Sequence, residues 1–140
     1  MAESGRTTRE GFGVWGAQSA SARQTQRLAQ ALGGLFVPGD VIELLGPLGA
    51  GKTTFVQGLA EGLGLPNGVW VNSPTFTILN EVPTSPPIYH FDFYRLSDAD
   101  ELLEIGFYDL ISQGGITVVE WLALIPEARA LANWRIELAD

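Results

Sequence analysis

Apolar positions along the chain follow two periods, and their alternation sets the expected order of elements. Val41 to Leu45 is an apolar run entered from the Pro38-Gly39 turn, the pattern of a buried strand. Phe55, Val56, Leu59, Ala60 and Leu63 then recur at helical spacing until Gly64 ends them. Upstream, Ser21 is placed to cap a helix reaching Leu32, with Leu28, Ala29 and Leu32 inward and Gly33-Gly34 as its stop. Val69-Trp70-Val71 is a short apolar run. Phe76 and Ile78 alternate with Thr75 and Thr77, which predicts a strand from Phe76 to Glu81. Beyond the stiff connection made by Pro83, Pro86 and Pro87, a strand is expected from Ile88 to Leu96. Its period of two puts His90 and Asp92 on one face and Tyr89, Phe91 and Phe93 on the other. Ser97 with Asp100 reads as a capping-box start for a helix whose apolar face is Leu102, Leu103 and Ile105 and whose end is Gly106. A β-rich run from Ile116 closes on Glu120, and Trp134, Ile136 and Leu138 alternate as a last strand.

Residues 1–20 show no clean period and are rich in Gly, Ser and Ala. They are expected to form a flexible tail with one edge strand near Gly13 to Trp15. Residues 21–140 read as one domain, since a chain of 140 residues is long enough for a single core.

Composition narrows the function classes. Hydrophobic content of 46% and a mean hydropathy of +0.14 imply a folded chain. No apolar run has membrane-spanning length, and the first residues lack the basic start and apolar block of a signal peptide, so a cytoplasmic protein without a membrane partner is expected. The absence of cysteine excludes disulfides, thiolate catalysis and zinc–sulfur sites. A net charge of −8 argues against a chain that grips nucleic acid by itself.

One stretch carries chemistry outright. Gly46-Pro47-Leu48-Gly49-Ala50-Gly51-Lys52-Thr53 fits G-x-x-x-x-G-K-[ST], lying between the Val41 strand and the Phe55 helix. At average residue usage that pattern arises by accident on the order of once in a hundred such chains or less. Lys52 is also the only lysine; the other seven basic residues are arginines. A triphosphate needs many donors close together. Glycines let the backbone curl so that successive N–H groups converge on one anion, and the helix beginning near Lys52 aims its free N–H groups at the same point. Lys52 is placed to reach the β and γ phosphates, and the Thr53 hydroxyl to take a Mg2+ position. The fold implied is α/β: a single P-loop NTPase-like domain with a mostly parallel central sheet, antiparallel strands at one side and helices on both faces.

Two acids stand out around it. Asp92 lies in a dense aromatic run, where an unpaired carboxylate is costly, so it needs a strand end, a partner or a metal ion. Glu120 ends a β-rich run as a Walker B acid does, beside the P-loop and within reach of Mg2+. His90, the only histidine, has no visible catalytic partner and reads as a satisfied core residue rather than a base. Trp121 suits either the core or the face of a nucleotide base. Ser73-Pro74-Thr75 reads as a turn before a strand, in a place where nucleotide switches also occur.

The P-loop, Ser73-Pro74-Thr75-Phe76, His90-Phe91-Asp92-Phe93-Tyr94-Arg95-Leu96 and Glu120-Trp121, in that order, resemble the TsaE (YjeE) family. The similarity runs from about Thr25 to Glu137. The resemblance implies a bacterial P-loop ATPase that works with TsaB and TsaD to make threonylcarbamoyladenosine in tRNA, meeting tRNA only through those partners. It implies that Leu48, Gly49, Ala50, Gly51, Lys52, Thr53 and Thr54 hold the phosphates of ATP. Thr53 and Glu120 would bind Mg2+, Asp92 would lie by the γ phosphate and serve hydrolysis, Trp121 would flank the nucleotide, and Ser73 to Thr75 would act as a switch-like segment. The expected catalytic set is thus Lys52, Asp92 and Glu120. Family members commonly carry one further strand after the position of Leu138, so a less covered sheet edge is expected there.

Two other readings fit a P-loop: a compact small-molecule kinase and a non-catalytic ATP-sensing adaptor. A kinase closes an arginine-bearing lid over the phosphates, and after Glu120 the chain has only Arg129 and Arg135 and no room for one. A GTPase is disfavoured because N-K-x-D needs a second lysine, and ABC-type transport ATPases because no L-S-G-G-Q stretch is present. Arg95 is a candidate for an arginine aimed at the transition state, unless a partner supplies one.

Overall fold

In a computed structural model, residues 21–47 and 51–138 are described in full, together with the backbone strands of residues 3–7 and 13–17. Those first strands, β1 (Glu3–Thr7) and β2 (Gly13–Ala17), pair antiparallel as a sheet of their own, where the sequence suggested one strand. Helix α1 (Ala22–Gly33) opens on Ser21, whose hydroxyl accepts a bond from Gln24 N at 3.2 Å. Strand β3 (Val41–Leu45) leads to α2 (Lys52–Gly62). Strands β4 (Leu79–Val82) and β5 (Ile88–Asp92) follow, then the short helices α3 (Ala99–Glu104) and α4 (Phe107–Ile111). Strand β6 (Ile116–Glu120), a 3-10 turn at Leu122–Leu124, α5 (Pro126–Arg129) and β7 (Trp134–Glu137) complete the chain.

The central sheet has the order β4-β5-β6-β3-β7. β5, β6, β3 and β7 run parallel, and β4 joins β5 antiparallel at one edge. Alternation along the strands divides the core. Ile42, Leu44, Ile88, Ile116 and Val118 face α1 and α2, with Ala29, Val56 and Leu59 packed against them. Val41, Tyr89, Phe91 and Val119 face the other side, with Leu102, Phe107, Leu122 and Ile125. There Phe91, Phe93 and Phe107 meet edge to face, with centroids 5.0 to 5.9 Å apart. The structure thus has the α/β fold expected, with helices on both faces.

Helices α1 and α2 approach until their backbones touch. A Cβ added to Gly58 would meet the Gln26 carbonyl, and one added to Gly62 would lie 2.7 Å from the Gln30 carbonyl. Glycine at those two positions sets how closely α2, and with it Lys52, lies on the domain.

Several elements differ from the sequence reading. The strand expected from Phe76 starts only at Leu79. Ile78 has φ 67, its N–H bonds Pro74 O at 2.8 Å, and Phe76 is 86% exposed, so residues 74–78 turn instead of pleating. Strand β5 stops at Asp92, short of Leu96, because Asp92 Oδ1 accepts the N–H of Tyr94 at 2.9 Å and turns the chain. The cap of α3 is Asp98, bonded to Glu101 N at 3.1 Å, rather than Ser97 with Asp100. Leu103 points to solvent, and Gly106, at φ 76, opens α4 as well as ending the turn before it.

A buried charge went unanticipated. Glu43, in the middle of β3, is 1% exposed. It is answered by Arg135 Nε at 2.9 Å and Arg129 Nε at 3.0 Å, the pairing that a buried carboxylate requires. Among the described residues no helix is long and apolar enough to cross a membrane.

Candidate nucleotide site

The parallel strands point their carboxyl ends at one place, where open α/β sheets form their ligand crevice. Leu45 leaves β3 into the glycine loop. Asp92 ends β5 and Glu120 ends β6, and the two are paired opposite each other in the register. All three ends meet the first turn of α2, whose N-cap Gly51 has φ 93 and whose Phe55 N–H returns to Gly51 O at 2.8 Å.

A cavity of about 630 Å³ occupies this junction. It is lined by Gly51, Lys52, Thr53 and Thr54 from the start of α2, by Asp92 and Glu120 from the ends of β5 and β6, by Tyr94 and Trp121 just beyond those ends, and by Ser73 and Thr75. The structure therefore brings together Gly51, Lys52, Thr53, Thr54, Asp92, Glu120 and Trp121. Leu48, Gly49 and Ala50 lie outside the described residues. Arg95 does not line the cavity; its Nη1 donates to Phe76 O at 3.0 Å and ties the 74–78 turn to the end of β5.

Two groups share one carboxylate at the centre, that of Glu120. Lys52 Nζ is 3.4 Å from Glu120 Oε1, and His90 Nε2 is 2.7 Å from Oε2. Burial alone pushes the Glu120 carboxyl up. The hydrogen bond and attraction of His90, followed by those of Lys52, outweigh it and hold the group below its ordinary 4.5. A carboxyl lowered on folding contributes stability above its unfolded value, and that contribution is lost as pH falls through the folded value. Urea denaturation across a pH series is therefore expected to show stability falling more steeply below pH 4.5 in the native protein than in Glu120→Gln. Parallel curves would contradict the pairing.

Asp92, 4% exposed, is anchored by the Tyr94 N–H through Oδ1. Trp121 has φ 59, a left-handed conformation that is costly for a bulky residue, and it holds the ring against Tyr94 at 5.1 Å and over Lys52 Nζ at 5.6 Å. Tyr94 was not singled out by sequence. Its signal was modest: it is the first residue past Asp92 whose side chain a turn could return to the same crevice.

Among the described residues no three His, Cys, Asp or Glu side chains gather as a metal cage. The residues lining the cavity that carry side-chain oxygens include Thr53, Thr54, Asp92 and Glu120. A sparse, hard, all-oxygen set fits Mg2+, which keeps several waters and takes its remaining ligands from substrate phosphates.

The fold and this arrangement define a protein of the P-loop NTPase-like class. The family model described as threonylcarbamoyl adenosine biosynthesis protein TsaE matches residues 19–140. The chain belongs to the TsaE family. It is 42% identical over 111 residues to the tRNA threonylcarbamoyladenosine biosynthesis protein TsaE of Bacillus subtilis, covering 79% of this chain and 68% of that one. The protein of the same name in Treponema pallidum is 41% identical over 126 residues, covering 87% of this chain and 91% of that one. The crystal structure of Bacillus subtilis YdiB superposes with a TM-score of 0.65 at 31% identity, covering 86% of this chain and 73% of that chain.

Proposed function

We propose that the protein binds Mg-ATP in this cavity and hydrolyses it slowly, as the ATPase subunit of the cytoplasmic machinery that makes threonylcarbamoyladenosine in tRNA. TsaB and TsaD are its protein partners, and tRNA is met through them. The observation that carries the reading is the convergence of Lys52, Thr53, Asp92 and Glu120 on one cavity at the carboxyl ends of parallel strands. Membership of the TsaE family supports the biosynthetic role.

Lys52 turns from Glu120 to the β and γ phosphates, where its charge has more to neutralise. The amides of the glycine loop and the first turn of α2 hold the same oxygens. Bound Mg2+ supplies neutralisation of the charge that develops on the phosphates. Thr53 and Glu120, which both line the cavity, would hold it. Asp92, fixed at the end of β5, accepts a hydrogen bond from the attacking water and aims it at the γ phosphate. Trp121 and Tyr94 close the mouth around the nucleotide. Among the described residues, those that line the cavity include no arginine to meet transition-state charge, in keeping with a reading of weak activity without partners.

The test has two parts. Purified protein given Mg-ATP and no acceptor is expected to release free phosphate slowly, and faster when TsaB and TsaD are added. Phosphate transfer only when a small-molecule acceptor is present would select the kinase reading. Binding without turnover, even with partners, would select the adaptor. Recovery of TsaB and TsaD with the tagged protein in ATP is the expected result for the pathway, and their absence from the pull-down would remove it.

A further inference from the structure

His90 is the only histidine of the chain and is 0% exposed. Ile88 and Asp92 flank it on the same face of β5, and it pairs in register with Val118, two residue pairs behind Glu120. From there its Nε2 reaches Glu120 Oε2 at 2.7 Å. Its other ring nitrogen, Nδ1, has no hydrogen-bond partner among the described residues. The Nε2–H serves the carboxylate, which leaves Nδ1 as the ring nitrogen without a partner among the described residues. Burying a polar atom without a partner is costly, and an apolar side chain would fill the same space without that cost. What the imidazole adds there is its hold on Glu120.

The two oxygens of Glu120 are held unequally. Oε2 is held at hydrogen-bond distance by a fully buried ring, whereas Oε1 faces Lys52 at a looser 3.4 Å. When Lys52 leaves for phosphate, Oε1 is released and Oε2 keeps its anchor.

We propose that His90 is a positioning residue that clamps Oε2 of Glu120, so that Oε1 alone is presented to the cavity once Lys52 has moved to the nucleotide. This rests on the reading of Glu120 as the acid facing the metal end of the nucleotide. Without the clamp the carboxylate loses both anchors on nucleotide binding and must be ordered at that moment.

Electron paramagnetic resonance of free Mn2+, titrated against the ADP-loaded protein, reads this without turnover. Loss of an orienting partner behind a metal-facing side chain typically costs about ten- to a hundredfold in metal affinity. His90→Leu is expected to lose Mn2+ affinity in that range, with ADP affinity in EDTA unchanged. His90→Gln, whose amide nitrogen reaches the place of Nε2, is expected to recover most of the loss. Circular dichroism checks that each variant folds. If leucine does not, His90→Asn, whose amide stops short of Glu120, carries the same expectation. Native Mn2+ affinity in folded His90→Leu or His90→Asn, alongside a clear loss in Glu120→Gln, overturns the role of His90 alone. Native affinity in Glu120→Gln as well overturns the reading of Glu120, and the inference with it.

Discussion

Lys52→Ala is expected to lose ATP binding to below the detection limit of a filter or calorimetric assay while remaining folded. The lysine makes charge-assisted bonds worth about 1.5–3 kcal/mol each, and it is placed to reach two phosphates. Since every 1.4 kcal/mol is tenfold, the loss is on the order of a hundredfold or more. A second effect adds to it. With Lys52 gone, Glu120 loses the cation 3.4 Å from Oε1, and that oxygen faces the phosphates with its charge uncompensated. The chain has no other lysine to substitute, and Arg95 is engaged with the Phe76 carbonyl. Asp92→Ala is the contrasting case. Its carboxylate binds no phosphate in this reading, so ATP affinity is expected to stay measurable while phosphate release stops. Equal loss of affinity in both variants would refute the role given to Asp92.

Gly58→Ala is expected to destabilise the fold by about 1–3 kcal/mol in urea denaturation, the usual range for forcing extra volume into a packed interior. Helix propensity alone points the other way, since alanine is favoured over glycine within a helix by about 1 kcal/mol. Packing wins because the added carbon would lie 2.7 Å from Gln26 Cα and 2.9 Å from Ala29 Cβ, and backbone cannot rotate aside. Gly34→Ala serves as the control: φ is −72 there and the nearest atom is 3.6 Å away, so no loss is expected. A Gly58→Ala variant as stable as the native protein would mean that α1 and α2 lie further apart than described. Larger side chains at 58 are expected to push α2 outward and carry Lys52 away from Glu120, so that ATP affinity falls together with stability.

Much of the frame was legible because its signals are local. The run at Val41 and the helical spacing after Phe55 announce β3 and α2 with no knowledge of the rest. Glu120 at the end of a β-rich run could likewise be read from its neighbours. What could not be read depends on chain segments meeting. Nothing near Phe76 announces that Ile78 takes a positive φ, because the turn is held by Pro74, by Asp92 N bonding Ile78 O and by Arg95. Glu43 looked like one polar residue in an apolar run until Arg129 and Arg135 came alongside it. His90 gave only half its signal: its face was readable, but its bond to Glu120 needed the parallel register of β5 on β6.

Asp92 and Glu120 terminate adjacent strands as direct neighbours in the hydrogen-bond ladder. Their spacing is thereby gauged by the sheet itself, at the interstrand repeat of about 4.8 Å. Insertions or drift in the segment between them leave that ruler untouched. If the protein hydrolyses ATP as proposed, differences in rate among relatives with this ladder would have to come from other parts of the lining, such as Ser73 and Thr75, while the separation of the two acids stays inherited.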